Sequence, residues 1–259
     1  MENIIISTSN QIVKSINKLF DDKKYRDKTC LFVCQNRKII TTLISLNFKL
    51  DKIIIKQNSK FYEKFKNFSN AVIVNERVYD YMSHQENGDG LIAVFEQKSK
   101  NKSIDLNNDA LILDNIQNPN NLGAILRTCF AFNITNLVLT NNSVDLYNYK
   151  VIQSSMGYGL DINIVYTNNL SKCIKDLQSK NYIVYATDVN KKSIDLNYLS
   201  NKPKPKKIAI LFGNEGSGLK QEQINLCDQT IFIPINKKVD SLNVSNAVAI
   251  ISYFISIWK

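Results

Sequence analysis

From Ala110 to the last residue, short apolar runs alternate with segments of helical length, and this alternation limits the fold more than any other feature. The runs are Ala110–Leu113, Leu137–Thr140, Ile162–Val165, Ile183–Ala186, Lys207–Phe212 and Thr230–Ile233. They are continuous, not every-second-residue, and rich in β-branched side chains. Such runs suit strands buried on both faces of a parallel sheet. Between them lie Asn121–Phe132, Asp145–Met156, Leu170–Ser179, Lys220–Leu226 and Val244–Ile257, all read as helices. Strand–helix alternation predicts an α/β fold with a mostly parallel sheet, and ligands then bind at the carboxyl ends of the strands.

The first hundred residues have the same alternation in smaller form. Thr8–Phe20 has apolar residues at Ile12, Val13, Ile16, Leu19 and Phe20, which is helical spacing. Strands are expected at Cys30–Val33, Lys52–Ile55, Ala71–Val74 and Leu91–Phe95, with helices at Lys38–Leu46 and Lys60–Phe68. A polar stretch, KSKNKSIDLNN, separates the two textures. The expected division is therefore a small α/β domain over 1–100, a linker over 101–108 and a larger domain over 109–259.

The formal net charge of +10 implies an anionic partner. Residues 1–108 carry 18 basic and 12 acidic side chains, and residues 109–259 carry 15 and 11, so the first part is the more basic per residue. Nearly all of this charge is lysine. Only Arg26, Arg37, Arg77 and Arg127 are arginine, so each marks a position where a plain point charge did not serve. The five cysteines are scattered, without paired spacing, and suggest neither a disulfide framework nor a metal site. A reducing, cytoplasmic compartment is expected. Met1–Asn10 has no basic cluster before its apolar residues and does not read as a targeting segment. Ala247–Trp258 is too short to span a bilayer, so no membrane partner is expected.

Three segments at predicted strand ends carry the chemistry. In NPNNLGAILR, Asn118 or Asn120 can cap a helix, Pro119 stiffens its entry, and Gly123 and Arg127 share one face. Arg127 is the only arginine after the linker. It suits a planar, bidentate anion such as phosphate; the alternative is a structural ion pair. In FGNEGSGL, three of the six glycines of the larger domain follow a hydrophobic strand, and Glu215 sits among them. The spacing matches neither a phosphate loop nor a dinucleotide fingerprint. A carboxylate in so tight a loop is expected to face a partner, a helix cap or solvent being the alternatives. In SLNVSN, one residue is expected to cap the apolar helix that follows, and Ser241, Asn243, Ser245 and Asn246 together suggest a buried polar network. The only histidine, His84, lies in the first part in a polar turn, so an imidazole base is not expected in the larger domain.

Together these segments resemble the motifs of the SpoU (TrmH) family of RNA methyltransferases, within the SPOUT group. The motifs occur in order: N-P-x-N-x-G-x-x-x-R from Asn118 to Arg127, G-x-E-G-x-G from Gly213 to Gly218, and I-P-x through S-L-N-V-S from Ile233 to Ser245. The first part resembles the ribosomal-protein-like substrate-binding domain that often precedes this one, through LFVCQNRKIITTLI. There Cys34 and Gln35 replace the acid and glycine usual in the family.

The resemblance implies a SPOUT α/β domain with a deep trefoil knot, a homodimer, and S-adenosylmethionine as methyl donor. It places cofactor binding on Thr187, Leu211, Gly213, Ile233, Ser241 and Leu242, and catalysis on Arg127, Asn121, Glu215, Ser241 and Asn243. No metal is implied. The implied reaction is methyl transfer to a ribose 2′-hydroxyl of RNA, the group that separates RNA from DNA. Ribosomal RNA of the large subunit is the expected substrate. A transfer-RNA enzyme of the same family and a non-catalytic RNA-binding protein on the same fold are the alternatives. A guanidinium is a poor base, so Arg127 is expected to hold substrate phosphate or to act through it, with Glu215 orienting Arg127 across the dimer.

Overall fold

The computed structural model describes residues 4–86, 88–98, 103–190 and 192–259. The chain divides into two compact units, one of Met1–Lys98 with Asp145–Tyr158, the other of Ser99–Val144 with Gly159–Lys259. The first residues of the expected linker, 101 and 102, and the first three of the N-terminal segment lie outside the described residues.

The first unit begins with α1 (Gln11–Asp21), where Asn10 Oδ1 accepts the Ile12 N–H at 2.8 Å. α2 (Lys23–Thr29) follows, capped by Asp22. Then come β1 (Leu31–Gln35), α3 (Arg37–Ser45), β2 (Leu50–Lys56), α4 (Tyr62–Phe65), β3 (Ala71–Val74), α5 (Glu76–Met82) and β4 (Leu91–Glu96). The sheet order is β1-β4-β2-β3; β4 runs antiparallel to both its neighbours, and β2 pairs parallel with β3. The apolar stripe of α1 (Val13, Ile16, Leu19, Phe20) is buried in one core with Val33, Ile54 and Val94 of the sheet.

The second unit starts with β5 (Ala110–Leu113), α6 (Pro119–Ala131) and β6 (Asn136–Thr140). The chain then supplies Asp145–Tyr158 to the first unit, including α7 (Tyr149–Ser155). It resumes with β7 (Asn163–Thr167), α8 (Leu170–Ser179), β8 (Ile183–Thr187), β9 (Ile194–Asp195), α9 (Leu196–Leu199), β10 (Ile208–Phe212), α10 (Gln221–Ile224), β11 (Gln229–Phe232) and α11 (Val244–Ile257). All seven strands pair parallel, in the order β7-β6-β5-β10-β8-β11-β9. Every residue of β5, β6 and β10 is buried, as the continuous apolar runs predict.

The sequence reading places Asp145–Met156 in the larger domain, whereas these residues pack with the first unit. The reason lies in their side chains. Asp145 Oδ2 accepts from Arg26 Nε at 2.9 Å and Nη2 at 2.8 Å, with both side chains almost fully buried. Arg26 Nη1 donates to the carbonyls of Leu19 and Phe20, at 2.9 and 3.0 Å. Tyr147 stacks on Phe32 with ring centroids 4.8 Å apart, and its hydroxyl accepts the Lys98 N–H at 3.0 Å. Among the described residues, no helix is long and apolar enough to cross a membrane.

Candidate functional site

In the second unit, β5, β10, β8 and β11 are adjacent and parallel, so the loops leaving their carboxyl ends gather along one sheet edge. These are the three segments singled out by sequence, together with Thr187 at the end of β8.

Asn118 is the cap of α6: its Oδ1 accepts the Asn120 N–H at 2.9 Å, and Pro119 takes the first helical position. This leaves the N–H groups of Gln117 and Asn118 facing outward, and Glu215 takes them. Its Oε2 accepts from Gln117 N at 3.4 Å and its Oε1 from Asn118 N at 3.3 Å. The better-formed bond comes from Asn121 Nδ2, 2.9 Å from Oε1. Asn121 is buried, and its Oδ1 accepts from Asn243 Nδ2 at 3.1 Å. Asn243 is in turn the cap of α11, accepting the Ser245 N–H at 2.9 Å and the Ser245 hydroxyl at 2.7 Å. The three motif segments are thus joined side chain to side chain, through Glu215, Asn121 and Asn243.

The glycines explain how the middle loop turns. A Cβ on Gly213 would lie 2.4 Å from the carbonyl carbon of Gly218, so only glycine allows the loop to close on itself there. Asn214, which the sequence reading passed over, braces the turn. Its Oδ1 accepts from Gly216 N at 2.8 Å, and its Nδ2 donates to the Asn115 carbonyl at 2.7 Å. An asparagine before a Gly-rich turn is a recognisable signal for such self-capping.

Partial burial pushes the Glu215 carboxyl up, but the bonds from Asn121 and from the backbone outweigh it and hold the group below its usual value. A depressed carboxylate contributes order above its unfolded pKa and loses it as pH falls through its folded value. The 114–118 loop is therefore expected to stay fixed through neutral and mildly acidic pH. Slow hydrogen exchange at Gln117 and Asn118 should give way only below the ordinary glutamate pKa of about 4.3. Loss of protection at these amides already near pH 6 would contradict the assignment.

The remaining candidates are arranged differently. Thr187 Oγ1 donates to the Leu211 carbonyl at 3.0 Å, tying β8 to β10 beside Gly213. Ile233 and Leu242 flank the loop between β11 and α11, and both are half-buried. Among the described residues, no hydrogen bond is formed by the backbone N–H of Ile233 or Leu242. This edge therefore offers main-chain groups and apolar side chains to a ligand, which fits a nucleoside-bearing cofactor held largely by backbone. Ser241 and Asn246 are exposed and do not join the network; Asn243 and Ser245 do, but Asn243 is also exposed and Ser245 half-buried, so the buried polar network expected there is instead a hydrogen-bonded helix cap at the surface. Arg127 is exposed on α6, and among the described residues its guanidinium makes neither hydrogen bond nor ion pair. That removes the structural ion pair within the chain and leaves a free guanidinium on the helix that carries Asn121.

Comparison with known proteins agrees with this arrangement. The pattern of the family described as "SpoU rRNA Methylase family" matches residues 109–253, and that of the "MRM3-like substrate binding domain" matches residues 10–93. The chain is 25% identical over 249 residues to the 23S rRNA (guanosine(2553)-2'-O)-methyltransferase RlmP of Bacillus subtilis, covering 96% of this chain and 97% of that one. It is 31% identical to an uncharacterized tRNA/rRNA methyltransferase of Mycoplasma genitalium, covering 92% and 99%. Among solved structures it is similar to the AdoMet-bound rRNA methyltransferase from Sinorhizobium meliloti, with TM-score 0.78, 25% identity, and 97% and 96% coverage.

Proposed function

The chain belongs to the SpoU rRNA methylase family, and from that premise we propose that it transfers a methyl group from S-adenosylmethionine to a ribose 2′-hydroxyl of 23S-type ribosomal RNA. The observation that carries this reading is the hydrogen-bonded chain Glu215–Asn121–Asn243, which joins the three motif segments at the carboxyl edge of the sheet. The near full-length similarity to a 23S rRNA 2′-O-methyltransferase supports the substrate class.

S-adenosylmethionine supplies a methyl group already activated on a sulfonium, so the protein has mainly to position the acceptor and help remove its proton. Thr187, Leu211, Gly213, Ile233 and Leu242 would hold the cofactor, largely through their backbone, with Ser241 beside them. Arg127, free and planar, takes the phosphate next to the reacting ribose. Glu215 is satisfied within its own chain, so its role is to fix Asn121 and the loop before α6. Asn121 and Asn243 then present a prearranged amide pair to the substrate.

The homodimer belongs to the same reading. Phe130 on α6 and Ile250, Tyr253 and Ile257 on α11 are exposed large apolar residues on two packed helices, which supports a second copy covering them. Such a dimer would bring Arg127 of one copy toward the site of the other. The trefoil knot is likewise part of the proposal, supported by the placement of β10 between β5 and β8. A cytoplasmic location is supported by five free cysteines.

The decisive experiment is a nucleotide-resolution map of 2′-O-methylation in total RNA from deletion and parent strains. Loss of one methyl in large-subunit rRNA is expected. Loss confined to tRNA would overturn the substrate assignment. A purified protein that neither binds S-adenosylmethionine by calorimetry nor methylates total RNA would be a non-catalytic RNA binder.

A further inference from the structure

Of the four arginines, Arg26 is consumed by a buried ion pair and Arg127 lies exposed on α6. Arg37 has a third kind of setting. Its guanidinium lies over the ring of Phe61, with Cζ 5.1 Å from the centroid. The Lys60 ammonium is 5.3 Å from the same centroid. Among the described residues, the Arg37 guanidinium makes no ion pair and no hydrogen bond. A planar cation is thus laid on an aromatic ring and its donors are left unused.

The local backbone holds this pair in place. Asp89 Oδ2 accepts the Arg37 N–H at 2.5 Å, fixing the start of α3. The Asp89 carbonyl accepts from Ser59 Oγ at 2.9 Å, and Ser59 Oγ accepts the Phe61 N–H at 3.1 Å. One residue therefore fastens both the segment bearing the arginine and the segment bearing the ring. Gly90 permits the approach: at φ +80°, a Cβ there would come 2.7 Å from Ser59 Cβ. A pair joined only by its own contact would not need two loops pinned to a third.

We propose that Arg37, Phe61 and Lys60 form a stacking site for an unpaired base of the RNA substrate, the base lying on the guanidinium and the adjoining phosphate meeting Lys60. This rests on the reading of the protein as an RNA methyltransferase and names where the first unit grips an unpaired nucleotide. The chemistry follows from the side chains. An arginine plane stacks on bases and also offers donors, which a lysine cannot reproduce. Aromatic and cationic groups in combination are the usual means of holding single-stranded nucleic acid without strict sequence preference.

The test uses the full-length protein, a fluorescent single-stranded RNA of mixed sequence, and a fully paired duplex of the same sequence, with anisotropy read over a salt series. Arg37→Lys keeps the charge and removes the plane; Phe61→Leu removes the ring. Each is expected to weaken single-strand binding about tenfold, with duplex binding and thermal unfolding unchanged. The salt slope should be unchanged in Arg37→Lys and smaller by about 0.7 in Lys60→Gln, one phosphate contact having been lost. Unaltered single-strand binding in Arg37→Lys overturns the proposal. So does an equal loss on the duplex, which marks a plain backbone contact. Phe61 is half-buried, so if Phe61→Leu loses structure, Arg37→Lys decides alone. Methylation of total RNA by the wild type, assayed on the same preparation, separates failure of the stacking site from failure of the enzymatic reading.

Discussion

Asp145→Ala should destabilise the first unit by about 3–5 kcal/mol, the cost of leaving one member of a buried ion pair without the other. The Arg26 and Asp145 side chains are only 3% and 7% exposed, so the remaining guanidinium cannot turn to water. Its two carbonyl partners, Leu19 and Phe20, remain, which places the loss toward the lower end of that range. Urea unfolding, followed at tryptophan-independent probes of the first unit such as amide exchange in β1 and β4, gives the measurement. The double change Arg26→Met with Asp145→Leu should recover most of the loss, since an apolar pair of similar volume often replaces a buried ion pair without penalty. A single-variant loss below about 1 kcal/mol, typical of a surface pair, would show that the contact contributes little. The same bond predicts that a fragment ending at residue 100 is an incomplete first unit, because Asp145–Tyr158 is missing from it.

Arg127→Ala should lower methylation by about 10²-fold, the size of effect expected when the reacting ribose is no longer held in position by its phosphate. Thermal unfolding should be unchanged, because Arg127 is exposed and, among the described residues, its guanidinium is bonded to nothing. Arg127→Lys keeps the charge but not the planar fork, and should recover only part of the activity. Single-turnover assays with saturating S-adenosylmethionine make the comparison. Wild-type rates in Arg127→Ala would remove this residue from the reaction.

The continuous apolar runs of the chain are readable from sequence for a physical reason. β5, β8 and β10 are covered on both faces, so burial alone dictates their residues. β9 was not anticipated: two residues, Ile194 and Asp195, carry no period. α2 was missed because KKYRDKT is polar nearly throughout, and its one buried residue is Arg26. The placement of Asp145–Tyr158 could not be read either, since its apolar spacing suits any core and its destination depends on Arg26, 119 positions away. At the site, residue types and order were legible, as was the expectation that Glu215 faces a partner. The identity of that partner, Asn121, was not, because it depends on how two loops meet over β5 and β10. Ser241, Asn243 and Asn246 show the converse error: a polar run suggests a buried cluster, whereas three of its four members are exposed and only Asn243 and Ser245 are bonded to one another.

The strand order also has a consequence in time. β5 sits beside β10, and the Ile208 N–H that meets Asp109 comes from 99 residues further along the chain. During synthesis, β6 can pair with β5 soon after it emerges, but the other edge of β5 stays open until β10 is made. At about 5–20 residues per second, that is roughly 5–20 s with an apolar strand edge uncovered on the ribosome. An open edge of this kind is a template for pairing with other chains. The centre of the finished sheet, and with it the loop carrying Glu215, is thus among the last parts to form, so a nascent chain passes that interval as an aggregation hazard without a working site.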